Sequence, residues 1–362
     1  MDQSIYAHFL NLVPQVGAVK ARILADYFKS FKKIYQASYE ELLKSKIAEK
    51  DAQRIILAKE NVNLTEEAAM LKTKEIKMVD YLNDDYPTLL KEISDPPMLL
   101  YYFGTLSRDC SKNIAIVGTR NCTEYGLKNT HDFANAMAKN DLVIVSGLAL
   151  GIDACAHQAS INNKSKTIAV LGSGLLHIAP ASNFRMSQEI LRYGGAIVSE
   201  FPPDLEPSPG LYPRRNRVVA GLSKAVLITE APRRSGALIT AFLALEQNRD
   251  VLAIPGDIDR LKSIGANHLI RLGAKAVLEP DDVLEEFSIK INSPSNSEIS
   301  YKPQNVEEAQ IIELLKKSPL SAEALNQVLD LGIMTLNRNL SLLEIKSVLR
   351  RDAGGRYELD RK

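Results

Sequence analysis

A chain of 362 residues, 45% hydrophobic and 25% charged, is long enough for two or three globular domains and too apolar to be largely disordered. Its 45 basic and 44 acidic residues nearly cancel, which excludes a uniformly basic chain, so any nucleic-acid surface must be regional. Three cysteines without paired spacing argue against a disulfide framework, and without a signal-like N-terminus or membrane-length apolar run we predict a cytoplasmic protein with no membrane partner.

Residues 1–80 are predicted to form an N-terminal helical domain. Apolar residues recur there at helical spacing, as in Ile5, Phe9 and Val13. The glycine-bearing turn 14–20 follows and opens the next helix, with free backbone N–H groups available to an anion. Such a turn resembles a helix-hairpin-helix (a SAM-like domain), which grips DNA phosphates. A plain turn in a small helical bundle explains the same residues equally well.

Residues 81–288 are predicted to form an α/β core with a mostly parallel, Rossmann-like sheet. Short runs rich in Val, Ile and Leu alternate with amphipathic stretches such as 127–139 and 237–248. Right-handed crossovers would bring the carboxyl ends of all these strands to one edge, where ligands of open α/β sheets bind. The predicted strands are 113–117, 142–145, 167–171, 196–199, 224–229 and 251–254.

Glycine and arginine are concentrated in the loops that follow these strands. Glycines let backbone N–H groups approach a phosphate, and arginines bind its oxygens in pairs. No P-loop and no dinucleotide fingerprint occurs, so we predict no nucleotide cofactor. The arginines exceed what one small nucleotide engages, which favours a run of phosphates. They are Arg120, Arg214, Arg215, Arg217, Arg233 and Arg234.

The last part of the chain is predicted to be a separate domain behind a linker. Residues 289–305 are rich in Ser, Asn and Pro, which is typical of a flexible linker. Residues 306–362 then predict three helices and a hairpin, the pattern of a winged helix. The candidate recognition helix, 335–346, has only Arg338 and Lys346 as basic residues, which disfavours base readout.

Eight segments together resemble, in order and spacing, the motifs of the DprA/Smf family of DNA-processing proteins. They are IAIVGTR, VSGLALGIDACAH, TIAVLGSGL, SEFPP, LYPRRNRVVAGLS, ITEAPRRSGALITA, ALEQNRDVLAIPG and GANHLIRLGA. The resemblance covers about residues 86–287. It implies an extended Rossmann-like core that binds single-stranded DNA without cutting it, forms a homodimer and loads the RecA recombinase in natural transformation. The family usually has an aromatic residue where this chain has Ala179, and Tyr212 or Phe184 would be its substitute.

The resemblance also implies a set of DNA-binding residues, with no catalytic residue and no metal. It places in the pocket Gly118, Thr119 and Arg120, then Ser146, Gly147, Ala149 and Gly151, then Arg214, Arg215, Asn216 and Arg217. We add Arg233, Ser235 and Gly236 as DNA contacts, although a solvated loop explains the arginines there equally well.

Four other polar residues have a structural interpretation beside a functional one. Asp153 and His157, four apart on a predicted helix, could share a metal, but no third ligand has matching spacing. We therefore interpret Asp153 as a helix N-terminal stabiliser and His157 as a satisfied buried histidine. Glu200 and Glu230 could be an acid/base pair, but nearby arginines favour structural ion pairs.

Two competing functions remain open on the sequence. The core also resembles nucleotide-processing enzymes of the lysine-decarboxylase-like group, whose P-G-G-x-G-T motif corresponds here to 233–238 without the glycine pair. A winged helix alone would suit a regulator of double-stranded DNA. For the homodimer, residues 265–273 are the predicted contact, because the apolar residues there exceed what a short helix needs; they are Ile264, Leu269, Ile270 and Leu272.

Overall fold

The computed structural model describes residues 3–289, 301, 303–316, 319–346, 348–351 and 355–359. The chain divides into two compact units, with bounds 1–289 and 290–362. The predicted linker and the turn of the predicted C-terminal hairpin lie mostly outside the described residues. Within the described part of the chain, no helix is both long and apolar enough to cross a membrane.

Six helices precede the sheet. Side chains cap several of their N-termini: Ser38 and Glu41 form a capping box, and Asn63 accepts from two backbone N–H groups. The helices are α1 (Ser4–Leu12), α2 (Ala18–Phe28), α3 (Phe31–Gln36), α4 (Tyr39–Lys44), α5 (Glu49–Asn61) and α6 (Leu64–Thr73).

A nine-stranded sheet forms the centre of residues 3–289. Its strand order is β1-β2-β6-β5-β4-β3-β7-β8-β9; β1 and β2 are antiparallel to their neighbours and all other pairs are parallel. This confirms the predicted α/β class with a largely parallel sheet. The six predicted strands correspond to β3–β8. The strands are β1 (Lys77–Asp80), β2 (Leu99–Gly104), β3 (Asn113–Val117), β4 (Val143–Ser146), β5 (Thr167–Val170), β6 (Ala196–Ser199), β7 (Ala225–Ile228), β8 (Asp250–Ala253) and β9 (Lys275–Ala276).

Both faces of the sheet are covered, as buried parallel strands require. The helices α1–α6 share a core with one face, where Phe9 and Leu24 belong to the same cluster as Tyr101 and Ile197. The predicted boundary at residue 80 is the end of β1, so the sheet begins inside the segment predicted to be helical. The remaining helices are α7 (Thr88–Lys91), α8 (Glu124–Lys139), α9 (Ile152–Asn162), α10 (Phe184–Arg192), α11 (Leu211–Gly221), α12 (Gly236–Glu246), α13 (Ile264–Arg271) and α14 (Pro280–Glu286).

The arginine-rich segment 213–217, predicted to be a loop, lies in helix α11. Pro213 is the third residue of this helix, where its missing N–H costs no intrahelical hydrogen bond. Successive residues of a helix point in different directions, so neighbouring arginines of α11 need not share one environment.

The described residues of the second unit form three helices and a two-stranded antiparallel hairpin. Leu325, Leu336, Leu340 and Tyr357 belong to its own apolar core. These are the elements that a winged helix requires, and the winged-helix assignment itself stays a prediction. The elements are α15 (Val306–Leu315), α16 (Ala322–Leu329), α17 (Ile333–Ile345), β10 (Leu349–Arg351) and β11 (Tyr357–Leu359).

Candidate functional site

A pocket of about 300 Å³ opens at the carboxyl edge of the sheet. It lies at β3, between β4 and β7, where the strand order changes direction, which is the usual ligand position in open α/β sheets. We call it the edge pocket. Its lining includes Gly118, Thr119, Arg120, Ala149, Asp153, Tyr212, Arg215, Asn216, Pro232, Arg234, Ser235 and Gly236. Eight of the fourteen predicted DNA-binding residues are among these.

Exposed cations and one aromatic ring form the walls of the edge pocket. Arg120 follows β3 and lies with its guanidinium carbon 5.1 Å from the centroid of the Tyr212 ring. Arg234 is exposed on the loop that follows β7. Two helices begin here: Asp153 is in the first turn of α9, and Ser235 accepts from the backbone N–H of Ala237 to cap α12. Helix N-termini and arginines both favour an anion.

Two buried side chains of opposite charge, Arg215 and Asp153, form the floor of the edge pocket. Arg215 donates to the backbone oxygens of Gly147 and Val170, and Asp153 accepts from the N–H of Gly147 at 3.0 Å. Burial raises the pKa of the Asp153 carboxyl, and the charge of Arg215 opposes that rise. Burial likewise lowers the pKa of the Arg215 guanidinium, opposed by Asp153.

This geometry corrects the prediction that Arg215 contacts a phosphate from a loop. Arg215 is only 5% exposed, because it lies on the inner side of α11 and its N–H groups satisfy carbonyls at the ends of two strands. Its positive charge lies beneath the pocket. The exposed arginines of the pocket, Arg120 and Arg234, are the cations that a ligand can contact directly.

The loop after β4 requires glycine at two of its predicted positions. A Cβ on Gly147 would overlap the guanidinium of Arg215. Gly151 has a φ of +77°, and a Cβ there would lie 2.5 Å from the backbone oxygen of Arg120. Ser146 is buried and donates to the backbone oxygen of Ile116 at 2.7 Å. These three residues therefore shape the edge pocket without lining it.

The other two arginines of α11 differ sharply in exposure. Arg217 is buried and paired with Glu200 and Asp95, so its predicted contact with phosphate is also corrected. Burial raises the pKa of the Glu200 carboxyl, and the charge of Arg217 opposes that rise. Arg214 is exposed, with its guanidinium carbon 5.0 Å from the centroid of the Phe201 ring.

Arg214 lines a neighbouring pocket of about 390 Å³. The turn between α1 and α2, residues 14–18, lines the same pocket together with Phe201. The turn predicted as a helix-hairpin-helix therefore lies on the same side of the molecule as an exposed arginine of α11. Its role in binding an anion stays a prediction.

The two glutamates at strand ends have structural partners. For Glu200 the predicted ion pair with an arginine is correct. For Glu230 it is wrong, because both carboxylate oxygens accept from Thr123, one from its N–H at 2.8 Å and one from its hydroxyl at 2.7 Å. Thr123, which also caps α8, is therefore the structural partner of Glu230 in place of an arginine.

His157 is buried, as predicted, but only one of its ring nitrogens has a partner. The Thr167 hydroxyl donates to the backbone oxygen of Ile144, so its oxygen accepts from Nδ1–H of His157 at 2.8 Å. Nε2 has no hydrogen-bond partner among the residues that the structure describes. Burial, helped by the charge of Arg215, lowers the pKa of His157 to about 3.

The structure separates Arg233 from its neighbour Arg234. Arg233 lines a groove of about 560 Å³ between α12 and α13, away from the edge pocket, whereas Arg234 lines the pocket. Arg234 and Tyr212 line the edge pocket and are absent from the predicted set of DNA-binding residues. Two adjacent arginines in a sequence do not indicate which of the two side chains faces a ligand.

The arrangement can bind an extended anion. Arg120, Arg214 and Arg234 are exposed along the carboxyl edge. The three carboxylates considered as possible acids or bases, Asp153, Glu200 and Glu230, are each held by a structural partner.

Residues 77–288 match the model of a protein family described as DNA recombination-mediator protein A. Protein Smf of Synechocystis sp. is 33% identical over 99% of this chain and 100% of its own length. DNA processing protein DprA of Streptococcus pneumoniae is 45% identical over 57% of this chain and 72% of its own length.

Two solved structures of similar proteins share the fold. The X-ray structure of DprA from Streptococcus pneumoniae has a TM-score of 0.68 at 34% identity and covers 79% of this chain and 99% of that one. DNA processing protein A from Helicobacter pylori, described as having a unique single-stranded DNA binding mode, has a TM-score of 0.52 at 30% identity. It covers 58% of this chain and 94% of its own.

Proposed function

The chain belongs to the DNA recombination-mediator protein A family, that of the DprA and Smf proteins, and on this premise we propose that it binds single-stranded DNA at the edge pocket. The observation that carries the proposal is the row of exposed arginines, Arg120, Arg214 and Arg234, along one edge of the sheet. One nucleotide needs fewer cations, whereas a strand presents a phosphate to each. The Helicobacter pylori relative, described as binding single-stranded DNA, supports the same ligand.

The site binds DNA without cutting it. Hydrolysis of a phosphodiester needs a general base or a metal near the scissile bond. Asp153, Glu200 and Glu230 are committed to a backbone N–H, an arginine and a threonine respectively. We therefore assign the edge pocket a holding role, in which arginines contact the DNA backbone and Tyr212 offers its ring to a base.

The bound strand is passed to a RecA-type recombinase, as a mediator of recombination in natural transformation would do. The description of the family as recombination mediators supports this step. Full-length protein should speed the assembly of RecA on single-stranded DNA, and an Arg120→Ala/Arg234→Ala variant should not. If both proteins speed RecA assembly equally, recombinase loading does not depend on the edge pocket.

The protein acts as a homodimer through the groove between α12 and α13. Apolar side chains are exposed around this groove, among them Phe242 and Ile258. The predicted contact, 265–273, lies largely in α13 beside this groove and stays a prediction; within it Leu269 is buried in the core of the sheet domain and Leu272 is strongly exposed. We add the exposed apolar side chains of α12 to this contact.

Titration of a labelled single strand, and of the same strand annealed to its complement, tests the proposed function. The account predicts tighter binding of the single strand, with an affinity that falls as salt rises because phosphate contacts release counterions. Equal binding of both forms would favour the C-terminal unit as the DNA-binding element. Release of a free base from nucleoside monophosphates would instead indicate the enzymatic alternative.

A further inference from the structure

The pocket of about 390 Å³ that Arg214 lines shares no lining residue with the edge pocket, and it lies between the N-terminal helices and the sheet. We call it the turn pocket. Its walls come from α1, the turn 14–18, α2, the start of β2 and the loop after β6. Its volume lies within the range of roughly 300–1,000 Å³ that holds small-molecule ligands. Most of its walls are apolar, so the few polar groups among them determine what it binds.

Two acceptor oxygens of the turn pocket have no partner among the residues that the structure describes. The side chain of Glu200 is 6% exposed; its Oε2 accepts from Arg217, and its Oε1 has no hydrogen bond. Asn11 lies beside it, because its Nδ2 donates to the backbone oxygen of Glu200 at 3.0 Å. A carbonyl oxygen can only accept, so this bond fixes the orientation of the Asn11 amide and leaves Oδ1 as a second acceptor.

A chain of buried hydrogen bonds holds the Asn11 amide in this orientation. Its Nδ2 also donates to the Tyr101 hydroxyl at 3.2 Å, which lies 2.7 Å from Nδ1 of His8. Nε2 of His8 donates to the Glu67 carboxylate at 3.0 Å. Burial lowers the pKa of His8, opposed by Glu67, so the ring is neutral and its Nδ1 accepts from Tyr101. Both N–H groups of the Asn11 amide are therefore used, and its oxygen alone is left for a ligand.

The remaining polar groups of the turn pocket favour an anion. Arg214 is exposed, with its guanidinium held over the Phe201 ring. Helix α2, of 11 residues, begins at the pocket without a side-chain cap and without an acidic residue in its first turn, so its N–H groups remain available. A matching ligand combines an N–H donor, a flat apolar body and an anionic group. Nucleotides of adenine, cytosine and guanine have all three, whereas thymine has no exocyclic amine.

We propose that the turn pocket binds one nucleotide whose base has an exocyclic amine, with the amine donating to Asn11 and Glu200 and the phosphate bound by Arg214 and the N-terminus of α2. A bound strand and a free nucleotide present the same chemistry. The fold favours the strand, because Tyr212 and Arg214 lie in the same turn of α11 and Tyr212 lines the edge pocket. In this form the inference rests on the proposed function, since a strand that crosses this turn reaches both pockets.

Gly17 allows a test that leaves the fold intact. Its backbone is extended, with a φ of −80° and a ψ of −178°, and a Cβ there would meet nothing within 4 Å. Gly17→Asp adds a carboxylate that occupies the N–H groups of α2 and repels a phosphate. Because aspartate is a preferred N-cap, this variant should be at least as stable as the wild type. Gly17→Ala, which adds a Cβ without a charge or a cap, is the matched control.

Titration of the full-length proteins with two strands of equal length measures the base preference. The wild type should bind alternating d(TC) at least about five-fold more tightly than oligo(dT), because only cytosine supplies the amine. Gly17→Ala should keep this preference. Gly17→Asp should lose it and keep its affinity for oligo(dT), which the edge pocket holds. A Gly17→Asp protein that still prefers d(TC) would overturn the proposal.

Thermal denaturation with dCMP or dTMP distinguishes a free nucleotide from a strand. If the wild type binds both strands equally, a rise in Tm with dCMP, absent with dTMP and absent in Gly17→Asp, would identify a free nucleotide as the ligand. Equal strand binding without such a rise would overturn the proposal and leave the proposed function intact. A wild type that binds neither strand would contradict the proposed function, and the dCMP measurement would then decide for the turn pocket alone.

Discussion

The arginines near the edge pocket differ in burial and therefore in role, although they are the same residue type. Arg120 and Arg234 are exposed at the edge pocket, whereas Arg215 and Arg217 are buried beneath the surface and satisfy carbonyls or carboxylates. Breaking the hydrogen bonds of a buried arginine lowers the free energy of unfolding more than breaking those of an exposed arginine, because water cannot replace the missing bonds in the interior. The buried arginines should therefore matter for folding and the exposed ones for binding.

Replacing Arg215 should test this division at a single position. Arg215→Met leaves the buried carbonyls of Gly147 and Val170 without their donor and removes the charge that opposes the burial of Asp153, so it should lower the free energy of unfolding by about 3–5 kcal/mol. Arg120→Ala, at an exposed position, should change it by no more than about 0.5 kcal/mol. Chemical denaturation of both variants measures the difference. An Arg215→Met protein as stable as the wild type would mean that Arg215 is held for ligand contact alone.

His157 should make the protein sensitive to acid. Its pKa falls from the usual 6.5 to about 3 in the folded chain, so its contribution to stability is complete above pH 6.5 and decreases as the pH falls towards 3. In that interval the unfolded chain binds a proton that the folded chain does not, at about 1.4 kcal/mol per pH unit.

The comparison of wild type and His157→Leu isolates this proton. Between pH 6.5 and 5 the wild type should lose about 2 kcal/mol more of its free energy of unfolding than the variant does, because only the wild type has the histidine to titrate. Denaturant titrations at the two pH values measure the loss. Identical losses would show that His157 is protonated in the folded protein.

At the scale of elements, helix α11 decides which arginines reach the ligand. Pro213 ends its first turn, Arg214 then points to solvent, and Arg215 turns inwards. The helices α12 and α13 form the other functional element, since their groove carries exposed apolar side chains that a partner subunit would cover.

Phe242→Glu should convert the proposed homodimer into a monomer, because a carboxylate in an apolar contact is desolvated without a partner. Light scattering after gel filtration gives the mass. Phe184→Glu, which changes an exposed phenylalanine in the same way at the start of α10, should stay dimeric. A monomeric wild type, or a dimeric Phe242→Glu protein, would place the contact elsewhere or exclude it.

The sequence was sufficient to predict the parallel core, because doubly buried strands such as β3 and β7 have continuous apolar runs. It was insufficient for β1 and β2, which lie next to segments that favour helix or turns. The burial of Arg215 was equally hidden, since its carbonyl acceptors at Gly147 and Val170 come from residues far away in the chain. Only the tertiary structure brings them together.

At the scale of the whole molecule, a net charge of +1 coexists with a cationic edge. The parallel strands put the loops after β3 and β7 on one side of the sheet, so Arg120 and Arg234 act on the same ligand. Folding therefore concentrates positive charge at one edge of a nearly neutral protein. DNA binding should depend on the arginines of this edge and not on the net charge of the chain.

The salt dependence of single-strand binding tests this account most directly. Arg120→Ala/Arg234→Ala should lower the slope of log K against log salt by about 1.4, or about 0.7 for each lost phosphate contact, for any strand sequence. Arg108→Ala/Arg192→Ala is the matched control, because both exposed residues precede the parallel strands β3 and β6 at the opposite edge. The control should bind like the wild type. A folded Arg120→Ala/Arg234→Ala protein with unchanged affinity and slope would contradict the central claim that DNA binds at the edge pocket.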